Sequence, residues 1–97
     1  MAVKKGMELF HPDGSPSYRL ELADDVPSGL EETWHLPRTL TQRAEFLDGQ
    51  LHGRYESWWT NGSPKERGAY SRGKRIGIYE WFTSSGEVWA QHDYGDP

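Results

Sequence analysis

The sequence predicts an all-β protein: four tandem β-hairpin repeats of about 24 residues, joined into one elongated, twisted antiparallel sheet. Three observations carry this. The stretch Gly49 to Tyr70, GQLHGRYESWWTNGSPKERGAY, holds Asn61-Gly62 between aromatic-rich segments, and Asn-Gly tolerates the positive φ of a tight hairpin turn. The stretch recurs 24 residues on: Gly49, Gly53, Tyr55, Glu56, Trp58, Gly62 and Tyr70 become Gly73, Gly77, Tyr79, Glu80, Phe82, Gly86 and Tyr94. Third, folding the chain about Asn61-Gly62, with Thr60 opposite Ser63, sets Glu56 against Arg67. The same register sets Glu32 against Arg43, Glu8 against Arg19 and Glu80 against Gln91. Opposed opposite charges stabilise a cross-strand pair by roughly 0.2–1 kcal/mol.

Taken in order, residues 1–22 form the first unit. Met7, Leu9 and His11 alternate with Glu8 and Phe10, Pro12-Asp13-Gly14 makes the turn, and Ser17 to Leu22 returns. Residues 23–46 form the most divergent unit, with Asp24-Asp25-Val26-Pro27-Ser28-Gly29 as its connector and Leu36-Pro37-Arg38-Thr39 at its turn. Residues 47–70 and 71–94 are the third and fourth units. Recurring Gly and Pro exclude a helical reading. A period of this kind means a repeat array in which each unit buries its surface on its neighbours.

Ninety-seven residues make one domain. Hydrophobic content is only 34%, yet 13% of residues are aromatic, which is too many for a disordered chain. The composition suits a thin structure in which large rings supply most of the burial. With no cysteine there is no disulfide framework and no cysteine-ligated metal. The N-terminal MAVKKGMELF lacks the apolar run of a secretory signal, and no stretch reaches membrane-spanning length, so a cytoplasmic location is expected. A net charge of −4 argues against nucleic acid or anionic lipid and suits a basic protein partner.

The register sorts the side chains onto two faces. One carries the Glu–Arg pairs with Phe10, Trp34, Trp58 and Phe82. The other, more apolar, carries Met7, Leu9, Leu20, Leu22, Phe46, Tyr55, Trp59, Tyr70, Tyr79, Trp81 and Tyr94, interrupted by Glu31 and His35. Phe46, Tyr70 and Tyr94 stand opposite Gly29, Gly53 and Gly77, where rings are expected to lie over bare backbone.

The unit G-x-x-x-G-x-Y-E-x-W-x-x-N-G, with a return strand ending in Tyr, resembles a MORN repeat, in particular the bacterial variant of small MORN-repeat antitoxins. The resemblance covers residues 49–94 closely and 5–46 through the repeat columns. It departs at Arg38 and Lys5, which stand where the other units have glycine. It implies a tandem-hairpin sheet acting as a scaffold, a lipid-associated module or a protein-binding module, and it carries over no catalytic residue.

The residues themselves point the same way. His11, His35, His52 and His92 show no metal-binding spacing; His11 and His35 share a repeat column two strands apart, roughly 9–10 Å, too far for an easy shared ion. The column Glu8, Glu32, Glu56, Glu80 could suggest paired catalytic carboxylates, but the opposed arginines would keep them ionised and occupied. No catalytic group, metal or cofactor is therefore expected. The expected function is a non-catalytic protein-binding module, an antitoxin or immunity protein that occludes a toxin with a basic surface. Its expected contact residues are Tyr55, Trp59, Tyr79, Trp81, Glu31, His35, Asp24 and Asp25. Two alternatives are a phospholipid-associated scaffold using Lys65, Arg72, Lys74 and Arg75, and a homodimer closed by the apolar face.

Overall fold

Eight strands follow one another across the sheet in chain order, each paired antiparallel with its sequence neighbours. They are β1 (Lys4–Phe10), β2 (Pro16–Ala23), β3 (Val26–His35), β4 (Thr39–Leu47), β5 (Gln50–Trp58), β6 (Pro64–Ser71), β7 (Lys74–Phe82) and β8 (Val88–Asp93). The structure is a computed structural model that describes residues 4–96, with side chains from residue 6 onward. The described residues contain no helix, and the sheet stays open, forming a slab 40 × 37 × 11 Å. A single layer leaves little interior: among the described residues the buried apolar side chains are Leu20, Ala44, Tyr79 and Phe82.

The Glu–Arg register holds, and it extends further than the hairpins. Glu8 pairs with Arg19, Glu32 with Arg43, Glu56 with Arg67 and Glu80 with Gln91. Between hairpins, Arg19 pairs with Glu32, Arg43 with Glu56 and Arg67 with Glu80. One row, Glu8-Arg19-Glu32-Arg43-Glu56-Arg67-Glu80-Gln91, therefore crosses every strand. Its closest ion pairs are Arg19–Glu8 at 3.5 Å and Arg67–Glu80 at 3.6 Å, half exposed in most members, so each contributes at most about 1 kcal/mol.

The turns differ from the expectation. Asn61-Gly62 is not a two-residue loop, and Thr60 does not face Ser63. Trp59 N–H donates to the Ser63 carbonyl (2.8 Å) and Gly62 N–H to the Trp59 carbonyl (2.9 Å), which makes a three-residue loop with Gly62 at φ 91°. This is the type I turn followed by a left-handed glycine, and it accommodates Asn-Gly as well as the tighter turn does. Asn61 Oδ1 closes the loop, accepting from Ser63 N–H (2.9 Å) and Ser63 Oγ (2.6 Å), while its Nδ2 donates to the Ser84 carbonyl of the next hairpin (2.8 Å). A bulge at Ser57/Trp58 restores the register below the loop. In the second unit Arg38, at φ 118°, occupies the glycine position, after a cis Leu36-Pro37 bond.

The two-residue turns lie instead in the connectors between hairpins. Asp24-Asp25, Asp48-Gly49 and Arg72-Gly73 each have both residues at positive φ, closing Ala23–Val26, Leu47–Gln50 and Ser71–Lys74. Inside each seam the register then slips. From Ala44–Tyr55 to Phe46–Leu51, two steps along β4 match four along β5, and the other two seams do the same. The slip sits at Gly29, Gly53 and Gly77. At Gly29 and Gly53 the crowding group is a carboxylate, Glu21 or Glu45, rather than the expected ring. Those carboxylates accept Leu30 N–H (2.7 Å) and Arg54 N–H (2.9 Å), backbone donors left over by the bulge. The glycine that does lie under a ring is Gly68, beneath Tyr79.

Candidate interaction face

The apolar face is built seam by seam from one recurring pair thirteen residues apart. Tyr79 Oη donates to Glu66 (2.8 Å), Tyr55 Oη to Gln42 (3.4 Å), and Tyr18 Oη to Glu31 (2.5 Å). In the last two seams the ring stands on the later strand. In the first it stands on the earlier one, so Glu31 is an exchange of tyrosine and carboxylate across the seam. Gln42 Nε2 also donates to Glu31 (2.8 Å), which joins the first two seams. Glu31 therefore answers to the fold, with two donors already on its carboxylate.

Toward the C-terminus the face becomes a ring cluster. Tyr79 is fully buried, stacked on Tyr55 (6.5 Å between centroids) and met by Trp81 (4.8 Å), Tyr70 (6.1 Å) and Tyr94 (6.2 Å). Ring contacts of this kind add about 0.5–1.5 kcal/mol beyond area burial. Arg75 lies over the group, its Cζ 4.7 Å from the Tyr79 centroid and within 6 Å of those of Trp81 and Tyr94. Burial is the first reason the Tyr79 phenol is pushed above its ordinary value, and the bond to Glu66 is the next.

The eight expected contact residues do not gather at one place. Tyr55 and Trp81 share the ring cluster and stay partly exposed; Tyr79 lies beneath them, where it supports the surface without reaching outward. Trp59 and His35 stand at the hairpin tips. Trp59 Nε1 donates to the Phe82 carbonyl (3.3 Å), as His11 Nε2 donates to the Trp34 carbonyl (3.1 Å), tying adjacent hairpins together. Asp24 and Asp25 form a connector turn, a ten-residue strand and roughly 30 Å from His35. The four lipid candidates also separate. Lys65 lies over the Trp59 ring (4.8 Å) near the tips, Arg72 and Lys74 sit at the opposite end of the strands, and Arg75 is in the ring cluster.

The residues that sequence reasoning missed on this face are Tyr18, Gln42, Glu66 and Gly68. The signal was present: a tyrosine and an acid or amide thirteen apart, three times on the repeat period. Among the described residues no group of three His, Asp or Glu could hold a metal, and no helix is long and apolar enough to cross a membrane. Comparison with known protein families, curated proteins and solved structures finds no match.

Proposed function

We propose that the protein is a non-catalytic binding module whose ring-bearing face docks on another protein, and that it neutralises a bacterial toxin by occlusion. The observation that carries this reading is the uncovered cluster around Tyr79. A rigid platform of Tyr55, Tyr70, Trp81 and Tyr94, with Arg75 held over it, has the composition of an interface centre: aromatic rings and arginine with few freely moving side chains. The Glu–Arg row covers the opposite face with paired charges and is the poorer docking surface. The MORN-like unit supports the antitoxin reading, and the net charge of −4 suits a basic toxin.

The test is co-purification of tagged protein from its native host, followed by reconstitution with the purified partner. A stoichiometric complex whose toxicity is suppressed is expected, with Trp81→Ala weakening it about tenfold or more while circular dichroism is unchanged. If no product of a neighbouring gene is retained, the reading fails.

A further inference from the structure

We propose that the two edges of the sheet are complementary, and that a second copy of this chain adds its β1 to β8 in the register the hairpins already use with one another. By the repeat, β1 is the same kind of strand as β3, β5 and β7, and β8 the same kind as β2, β4 and β6. Three seams already join the second kind to the first. The two edges thus present the two halves of a contact the molecule makes three times within itself.

The edges look like opened seams. Phe10 on β1 is 58% exposed, whereas Phe82 at the same repeat position is 4% exposed. Met7 and Leu9 are exposed, whereas Tyr79 in the Met7 column is fully buried. On β8, Val88 and Trp89 are exposed, Trp89 to 66%. Exposed strands with apolar side chains are templates for a further strand. Within β8 the run VWAQHD has no proline or lysine to blunt it.

The row of charges sets the register. Arg67 stands between Glu56 and Glu80; continuing the pattern places Gln91 between Glu80 and the second copy's Glu8, and Ala90 against its Leu9. Gln91 Nε2 already donates to Glu80 (3.4 Å), and its second amide hydrogen suits the incoming carboxylate. The seam bulge needs glycine, and β1 has Lys5 in that column, so the added pairing runs on the tip side of it, through Gly6–Phe10. Backbone direction agrees. Tyr94 N–H donates inward to the Gly77 carbonyl (2.8 Å), and alternate residues point opposite ways, so Gln91 N–H points out from β8. Gly77 N–H donates toward β8, to the Gly95 carbonyl (2.7 Å), so Glu80 N–H points toward β6 and, by the repeat, Glu8 N–H points out from β1. Such pairing is heterologous and leaves both sheet faces free, so it does not compete with the docking proposed above.

Two edge blocks test this, read by light scattering over a concentration series. Gln91→Pro and Glu8→Pro each remove one outward N–H and no backbone bond inside the sheet; the side-chain contacts they also lose, Gln91 to Glu80 and Glu8 to Arg19, are exposed and weak. The parent protein is expected to grow in mass beyond a dimer as concentration rises, and each proline variant to remain monomeric. An equimolar mixture of the two, with one good β8 edge and one good β1 edge, is expected to give a one-to-one heterodimer and nothing larger. A parent protein that stays monomeric to millimolar concentration overturns the proposal. So does a Glu8→Pro variant that associates as strongly as the parent, since its β1 edge no longer offers the N–H that the pairing uses. If either proline variant loses its circular dichroism, Gln91→Arg decides the matter. It restores the residue of the other units and should tighten association by up to about fivefold, the upper effect of one opposed charge pair; unchanged association overturns the proposal.

Discussion

The first and last seams of the sheet do the same job with the parts exchanged. Between β2 and β3, Tyr18 donates to Glu31, while between β6 and β7, Tyr79 donates to Glu66. The side chain beside each pair changes to match. Leu20 fills the space next to Glu31, Ala44 lies next to Tyr55, and Gly68 lies beneath Tyr79. The smaller Glu31 goes with Leu20, and the two larger tyrosines go with Ala44 and Gly68. Each seam thus keeps a filled volume and one bond from a phenol to an acid or amide, whichever strand supplies the ring. The same backbone therefore carries a polar network at one end and a ring cluster with Arg75 at the other.

The sharpest break in the comparison is Tyr79→Ala. It removes the one large side chain that is fully buried among the described residues and leaves Glu66 without its donor. Loss of a buried aromatic costs about 3–5 kcal/mol, and urea unfolding followed by tryptophan fluorescence should show it. Glu31→Ala at the equivalent position is expected to cost about 1–3 kcal/mol, because Leu20 already fills that seam. Equal losses would mean that the two seams are not variants of one design.

A smaller effect tests the volume rule. A Cβ at Gly68 would fall on the Tyr79 ring, so Gly68→Ala should cost about 1–3 kcal/mol in urea unfolding. Ala44, in the same column, sits beside Tyr55 with its methyl fully buried. Ala44→Gly should cost about 1 kcal/mol, from backbone entropy and a lost contact. A Gly68→Ala protein as stable as its parent would show that Tyr79 can tilt away, and the packing rule would fall.

These seams also mark where the sequence could be read and where it could not. Within a hairpin, the chain offers periodic rings, glycines and opposed charges, and Glu8–Arg19, Glu32–Arg43 and Glu56–Arg67 follow directly. Between hairpins, pairing depends on a two-residue slip at Gly29, Gly53 and Gly77, and no side-chain pattern counts residues through a bulge. That is why the continuous charge row and the bond from Tyr18 to Glu31 went unread, and why Glu31 resembled a residue fitted to a partner. Asn61-Gly62 misled for a different reason: the dipeptide suits two loop types, and side-chain bonds from Asn61 select the longer one. The burial of Tyr79 was also hidden, since it depends on Gly68 lying across the slipped seam.

The finest distinction between the seams is in their response to alkali. Burial, then the bond to Glu31 and its negative charge, pushes the Tyr18 phenol from 10.0 up to about 12. An unfolded chain releases that proton near pH 10, while the folded chain keeps it to about pH 12. The folded state binds more protons in this window, so the contribution is complete below pH 10 and is lost as pH rises to about 12. Tyr18→Phe should cost about 1 kcal/mol at neutral pH through the lost hydrogen bond, and its stability should fall less steeply over that window. Burial raises Tyr55 and Tyr79 as well, so part of the alkaline loss remains in the variant. Gln42 still holds Glu31 there, which keeps the first seam closed while its phenol is gone. Urea midpoints measured from neutral pH to 12 should bring the two proteins closer as the pH rises. Curves that stay parallel would mean that Tyr18 does not hold its proton through Glu31, and the exchange of parts between the seams would be one of shape alone.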